Sequence, residues 1–214
     1  SWRDRARAFG RTLSSARDAP RAPFDPALHV VFVDHTAQLS GGELALLRVF
    51  PALAELGVVP HVILGEDGPL ATAIADAGFA VEVLPLPSKA GAVHRDQVTV
   101  GRLPIARARE ALVSATRLTR PLQMPRPDGV PTNTLKAALY GGAAARMAGI
   151  PLVWHIRDRI APDYLPVAAV HAIRALARWM PTAIVANSRS TLATLGELRG
   201  PAYAVPSPVV YDAA

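Results

Sequence analysis

The sequence predicts an α/β fold: a Rossmann-like three-layer domain with a mostly parallel sheet of about six or seven strands. Three observations carry that reading. Short apolar runs rich in β-branched residues alternate with amphipathic stretches from residue 28 onward, the pattern of right-handed βαβ units. The first run, LHVVFVD at 28–34, is apolar almost throughout rather than at alternate positions, as expected of a parallel strand covered on both faces. The 214 residues, 50% hydrophobic and 19% charged, supply a core large enough for such a domain.

The elements follow in order. After the strand at 28–34, residues 42–56 form a helix whose apolar stripe is Leu44, Leu47, Val49, Leu53 and Leu56, with Gly57 as its C′ residue. PHVILGE (60–66) is the second strand. Pro69 opens a helix at its tolerated first position and the helix runs to Gly78. FAVEVLPLP (79–87) is the third strand, stopped by prolines. Residues 88–101 read as a surface loop, 102–120 as an arginine-rich helix, and PLQMPRPDG as a proline-rich break. GVPTNT (129–134) ends a short fourth strand, and 135–150 is a small-residue helix closing at Gly149. PLVWHIRD (151–158) is the fifth strand with its polar exit, 163–180 a helix, TAIVANS (182–188) the sixth strand, RSTLATLGEL a helix, and PAYAVPSPVVYD a last strand.

Composition narrows the chemistry. No cysteine is present, which removes disulfides, thiolate nucleophiles and cysteine-based zinc sites. Net charge is +6, and all cations except Lys89 and Lys136 are arginine. Such arginine and alanine usage fits a GC-rich genome, and it also fits an anionic partner such as a nucleotide, a lipid phosphate or a membrane surface. Nucleic acid is disfavoured because the arginines are not interleaved with aromatics on strands. No apolar run reaches the roughly 18–20 residues of a membrane span. Residues 1–27 stand apart as a basic arm or linker with six Arg, three Asp and three prolines. It reads either as a loose tail or as a membrane-surface contact anchored by Trp2 and Phe9.

In a sheet of this kind ligands bind beyond the carboxyl ends of the strands, so candidate residues sit just after each strand. Ser40-Gly41-Gly42-Glu43 fits the S-x-x-E capping box. Gly41 and Gly42 also let a phosphate approach a helix N-terminus, although the segment is neither G-x-G-x-x-G nor a P-loop. His155, Arg157 and Asp158 leave the fifth strand together. A histidine there is either held structurally by a backbone carbonyl or placed to meet a phosphate or hydroxyl, and Arg157 offers a bidentate fork. Asn133 and Thr134 read as helix caps. Lys136 in a first turn, where the helix dipole disfavours a cation, suggests an anionic ligand or acidic neighbour. Asn187, Ser188 and Arg189 repeat that arrangement. H-E-x-x-H and G-x-S-x-G are absent, no tight carboxylate cluster marks a metal site, and no persuasive catalytic apparatus is complete in this chain.

Taken together, these blocks resemble family 4 retaining glycosyltransferases of the GT-B fold. HVVFVDHTAQLSGGELALLRVFPALAELG is similar to their opening strand, Gly-Gly loop and helix. PTNTLKAALYGGAAARMAGIPLVWHIRD resembles their later N-S-x-K … A-R-x-x-G-I-P-V-V-W-H-x-R-D block, and IVANSRSTLATL and YAVPSPVVYD the blocks after it. The resemblance covers about residues 28–212 and implies the N-terminal, acceptor-side half of a two-domain enzyme. The Glu-x7-Glu signature of the second, donor domain is absent, so the chain is expected to be inactive alone. It implies His155 as the catalytic residue near the transferred sugar, and Gly41 and Gly42 against the donor diphosphate. Asn133, Lys136, Arg157, Asp158, Asn187 and Arg189 are implied on the acceptor side. The substrate implied is a nucleotide-sugar, with no cofactor and no metal required. The expected location is cytoplasmic, peripheral at the inner membrane face, with the basic arm and the 102–120 helix suggesting a lipid-linked acceptor. His35-Thr36-Ala37-Gln38 departs from the family's glycine loop. Two alternatives stay open: half of a nucleotide-sugar 2-epimerase, which needs cleft carboxylates, and a non-catalytic ligand- or protein-binding domain.

Overall fold

A computed structural model describes residues 27–85, 115–119, 122 and 126–204. The arm at 1–26, the 86–114 stretch and the end of the last expected strand lie outside the described residues; of the arginine-rich helix, residues 115–119 are described and are helical. The chain forms β1 (Leu28–Asp34), α1 (Gly41–Glu55), β2 (Val58–Leu64), α2 (Pro69–Asp76), β3 (Ala80–Val83), β4 (Val130–Thr132), α3 (Leu135–Ala148), β5 (Leu152–Ile156), α4 (Val167–Trp179), β6 (Ala183–Ala186), α5 (Arg189–Ala193) and β7 (Ala202–Ala204). The sheet has seven strands in the order β3-β2-β1-β4-β5-β6-β7, every adjacent pair parallel.

Side-chain alternation along the strands feeds two cores, one per face. Leu28, Val30 and Phe32 of β1 meet Leu46, Phe50 and Leu53 of α1 and Leu70 and Ile74 of α2. Val31 and Val33 turn to the other face, with Leu152, Trp154 and Ile156 of β5 and with α3 and α4. The chain thus winds one way from β1 to β3 and the other way from β4 to β7. The change of direction lies between β1 and β4, and a crevice opens there in sheets of this type.

Local chemistry explains the boundaries. Gly57, Gly78 and Gly149 take positive φ beyond helix ends, the left-handed stop that lacks a Cβ penalty. The α1 stripe is phased differently from the sequence reading: Leu46, Phe50 and Leu53 are buried, whereas Leu44, Leu47 and Val49 are only partly so. A run this rich in leucine admits either phase, and the aromatic Phe50, packed edge-on against Phe32 with ring centroids 5.1 Å apart, decides it. Gly141 and Gly142 let α3 lie close on the sheet. A Cβ on Gly141 would stand 3.2 Å from Thr132 and Val33, and one on Gly142 would stand 2.7 Å from Met180 Sδ.

Candidate active site

A crevice lies where β1 and β4 diverge, lined by Ser40, Gly42, Glu43, Asn133, Arg157 and Asp158 among others. Its walls are the β1–α1 loop, the β4–α3 loop and the exit of β5, and Asp34 ties the first two together. Asp34 is the last residue of β1 and is fully buried. Its Oδ1 accepts from the His35 amide at 2.7 Å and from the Thr134 hydroxyl at 3.2 Å, and its Oδ2 from Asn133 Nδ2 at 2.7 Å. A buried carboxylate needs such partners, since the desolvated charge is otherwise costly. The Thr134 hydroxyl also caps α3 by accepting from Ala137 N at 3.3 Å. With its proton given to Asp34, it takes the His35 Nδ1 proton at 2.8 Å. The sequence reading passed over Asp34 as one residue of a strand exit. The signal was present, because a carboxylate ending an apolar strand at the first crossover is placed to be buried.

The expected capping box is not made in that form. Ser40 is the N-cap of α1 but accepts no backbone bond; its hydroxyl donates to Glu43 Oε2 instead. Glu43 is thereby buried on the crevice wall. Neither glycine of the turn is demanded by the fold. Both lack positive φ, a Cβ on Gly41 would meet nothing within 4 Å, and one on Gly42 would touch Arg157 Cδ at 3.6 Å, an ordinary contact. Gly68 is the contrasting case, since its Cβ would stand 2.9 Å from the Ala37 carbonyl. The His35–Gln38 stretch is pinned there: Thr36 Oγ1 and Ala37 N donate to Glu66 Oε1 at 2.6 and 3.2 Å. Those two bonds hold the Glu66 carboxyl below the usual carboxylate range.

Arg157 crosses from β5 to Gly42. Burial lowers its pKa first, and the nearby carboxylates of Glu43, Asp34 and Asp158 work against that. Its Nε is buried without a partner. His155 does not line the crevice; its Nδ1 lies 3.4 Å from Arg157 Nη2. Burial, then the Arg157 charge, pushes its pKa from 6.5 down to about 3, so near neutral pH it is an uncharged acceptor for Arg157.

The remaining candidates divide. Asn133 lines the crevice with Oδ1 unpartnered, and Thr134 rather than Asn133 caps α3. Asp158 lines it and accepts from Tyr164 OH at 3.2 Å. Asn187 works from behind, its Nδ2 donating to the Arg157 carbonyl at 3.1 Å, while Ser188 rather than Asn187 caps α5. Lys136 is half-buried in the first turn of α3, and Arg189 is exposed at the start of α5. The structure thus brings Gly42, Asn133, Arg157 and Asp158 into one crevice, places Gly41, His155 and Asn187 beside them, and leaves Lys136 and Arg189 out of the lining. Among the described residues there is no group of three or more His, Cys, Asp or Glu able to hold a metal, and no helix is long and apolar enough to cross a membrane.

Comparison with known proteins adds the context. A search of curated proteins finds no match. Among solved structures, HepE of Anabaena in complex with UDP-glucose superposes with a TM-score of 0.57 at 20% identity, over 78% of this chain and 40% of that one. MurG of Acinetobacter baumannii gives 0.54 at 17% identity, over 82% and 44%. S. aureus MnaA bound to UDP gives 0.55 at 14% identity, over 83% and 44%. The chain therefore spans less than half the length of these structures, and at such identities they speak for the fold. The model of Glycosyltransferase Family 4 matches residues 39–211, a span that includes the Gly41-Gly42 turn and the whole of the crevice lining. On that match, the chain belongs to Glycosyltransferase Family 4.

Proposed function

We propose that this chain is the N-terminal, acceptor-side half of an enzyme that moves a sugar from a nucleotide-sugar to an acceptor with retention, and that a second domain holds most of the donor. The observation that carries the reading is the crevice between β1 and β4, with Asn133 Oδ1 and Arg157 Nε buried and unpartnered beside an unencumbered glycine turn. Gly41 and Gly42 face the donor diphosphate, where backbone N–H groups stabilise the leaving group's charge. His155 stands near the transferred sugar and steadies Arg157 as a neutral base. Asn133, Lys136, Arg157, Asp158, Asn187 and Arg189 form and support the acceptor side, so that catalysis rests on positioning and electrostatics. Complexes of the fold neighbour HepE with UDP-glucose and with UDP and glucose support a nucleotide-sugar as the substrate class. A cytoplasmic protein at the inner membrane face, acting on a lipid-linked acceptor, completes the proposal; its support is the arginine-rich composition.

A screen of nucleotide-sugars against acceptors, run on the polypeptide with its second domain, tests this by coupling nucleoside diphosphate release to glycoside formation. Gly42→Trp should remove ~100-fold or more of the turnover, because the indole displaces Arg157 and closes the phosphate approach; undiminished turnover would sink the role. A second reading, nucleotide-sugar 2-epimerisation, gains from Glu43, a buried carboxylate on the crevice wall. Interconversion of the donor sugar without an acceptor would select it.

A further inference from the structure

We propose that Thr194 and Arg174 are positioning residues for the third wall of the crevice, the exit of β5, and that they hold Asp158 on the acceptor side through the two backbone groups of Ile160. This rests on the sugar-transfer reading and adds to it two residues that do not line the crevice. The segment 157–166 joins β5 to α4 and is neither helix nor strand. Its own ion pair, Arg159 to Asp163 at 2.8 Å, is more than half exposed at both ends, and solvent weakens such a pair. The segment is pinned instead at Ile160, which is fully buried, lines the crevice and lies two residues beyond Asp158.

A buried amide and carbonyl need partners, and those of Ile160 come from distant parts of the chain. Its N–H donates to Thr194 Oγ1 at 3.0 Å. The Thr194 hydroxyl gives its own proton to the Thr191 carbonyl at 2.6 Å, which leaves its lone pairs for the incoming N–H. The Ile160 carbonyl accepts from Arg174 Nη2 at 3.2 Å, and Arg174 Nε donates to the Thr194 carbonyl at 2.8 Å. One guanidinium on α4 thus clasps the C-cap of α5 to the crevice wall. A planar fork can serve both carbonyls in this way, whereas a lysine ammonium is a point charge without that geometry.

Two residues of chain, at most about 7 Å, separate Asp158 from the clasp. Opening the clasp frees Asp158 to move, and a displacement of about 1 Å is enough to spoil a positioned group. The Gly41-Gly42 turn belongs to another loop and has no bond to the clasp. Loss of the clasp should therefore weaken use of the acceptor and spare use of the donor. A merely structural role for Thr194 and Arg174 would lower stability without that split.

The first test is amide hydrogen exchange by NMR on the 214-residue chain, without a ligand. Thr194→Val keeps the shape and removes the hydroxyl, Thr194→Ser keeps the hydroxyl, and Arg174→Lys keeps the charge and removes the fork. The Tyr164 and Leu165 amides donate to the Ala161 carbonyl at 3.0 and 2.9 Å and report on the segment as a whole. They should exchange about tenfold faster in Thr194→Val and Arg174→Lys, the order expected for one lost hydrogen bond in a local opening, and within about twofold of the parent in Thr194→Ser. The second test is steady-state kinetics of the polypeptide with its second domain, using the donor and acceptor pair that the activity screen selects. Thr194→Val should raise the acceptor KM about tenfold and change the donor KM less than about twofold, with Thr194→Ser close to the parent. If Thr194→Val does not fold, Arg174→Lys answers both tests. A folded variant whose two amides exchange as in the parent, a serine variant that behaves as the valine one does, or acceptor and donor KM that stay unchanged or rise together would overturn the proposal. A screen that finds no transfer would remove the sugar-transfer reading and the acceptor role with it, while exchange still decides whether the clasp holds the wall. Unchanged exchange in a variant of an active transferase would do the reverse.

Discussion

Lowering the pH should destabilise this domain through one ring. The His155 pKa falls from 6.5 to about 3 on folding, chiefly by burial and then by the Arg157 charge. The unfolded chain therefore binds a proton between those values that the folded chain refuses, and stability falls as pH falls across that window. With an unfolded pKa of 6.5, the contribution lost between pH 7 and pH 5 is about 2 kcal/mol, rising to about 3 kcal/mol at pH 4. These are upper values, because part of the residue reaches solvent. In a domain of this size about 2 kcal/mol corresponds to roughly 4–8 °C in Tm. His155→Gln keeps an acceptor for Arg157 and cannot take up the proton. The assay is thermal or urea unfolding of parent and variant at pH 7 and pH 5, in which carboxylate effects cancel in the difference. The variant should lose less stability than the parent by about that amount. Equal losses, or a His155 ring that titrates near 6.5 by NMR, would refute the reasoning.

Other expectations follow from the same contacts. Gly142→Ala should destabilise by about 1–2 kcal/mol in urea unfolding, since overpacking against Met180 and Leu152 exceeds the helix-propensity gain; Gly41→Ala, facing open space, should change stability by less than about 0.5 kcal/mol. Asp34→Ala strips the acceptor from Asn133, Thr134 and the His35 amide and should cost about 3 kcal/mol or more by the same measurement. The Glu66 carboxyl, held low by Thr36 and Ala37, contributes stability above the ordinary carboxylate range that is lost as pH falls through its lowered pKa. Thr36→Val should raise the Glu66 pKa in a carbon-detected NMR titration.

Much of this was legible in the chain. The continuous apolar run at 28–34 announced a strand covered on both faces, and Gly57 and Gly149 marked helix ends by their conformational freedom. Asn133, Arg157 and Asp158 were readable because they follow strands that a doubly wound sheet brings to one rim. What stayed hidden depends on distant partners. Sequence spacing made Ser40 and Glu43 a capping box, but in the fold Ser40 gives its proton to the Glu43 carboxylate. Asp34 gains its role only when β4 delivers Asn133 and Thr134 beside it, across |i−j| of 99 and 100. The His155–Arg157 contact was hidden too: alternation along β5 turns His155 from Trp154's face toward Arg157.

The central claim is that sugar transfer takes place at the crevice between β1 and β4. It is tested most directly by a crystal structure of the polypeptide with its second domain and the nucleotide-sugar that the activity screen selects. The account predicts the diphosphate against Gly41 and Gly42 and a ligand hydroxyl within hydrogen-bond distance of Asn133 Oδ1 or Arg157 Nε. A nucleotide-sugar bound with its sugar away from this crevice, and with Asn133 and Arg157 unchanged, would contradict it.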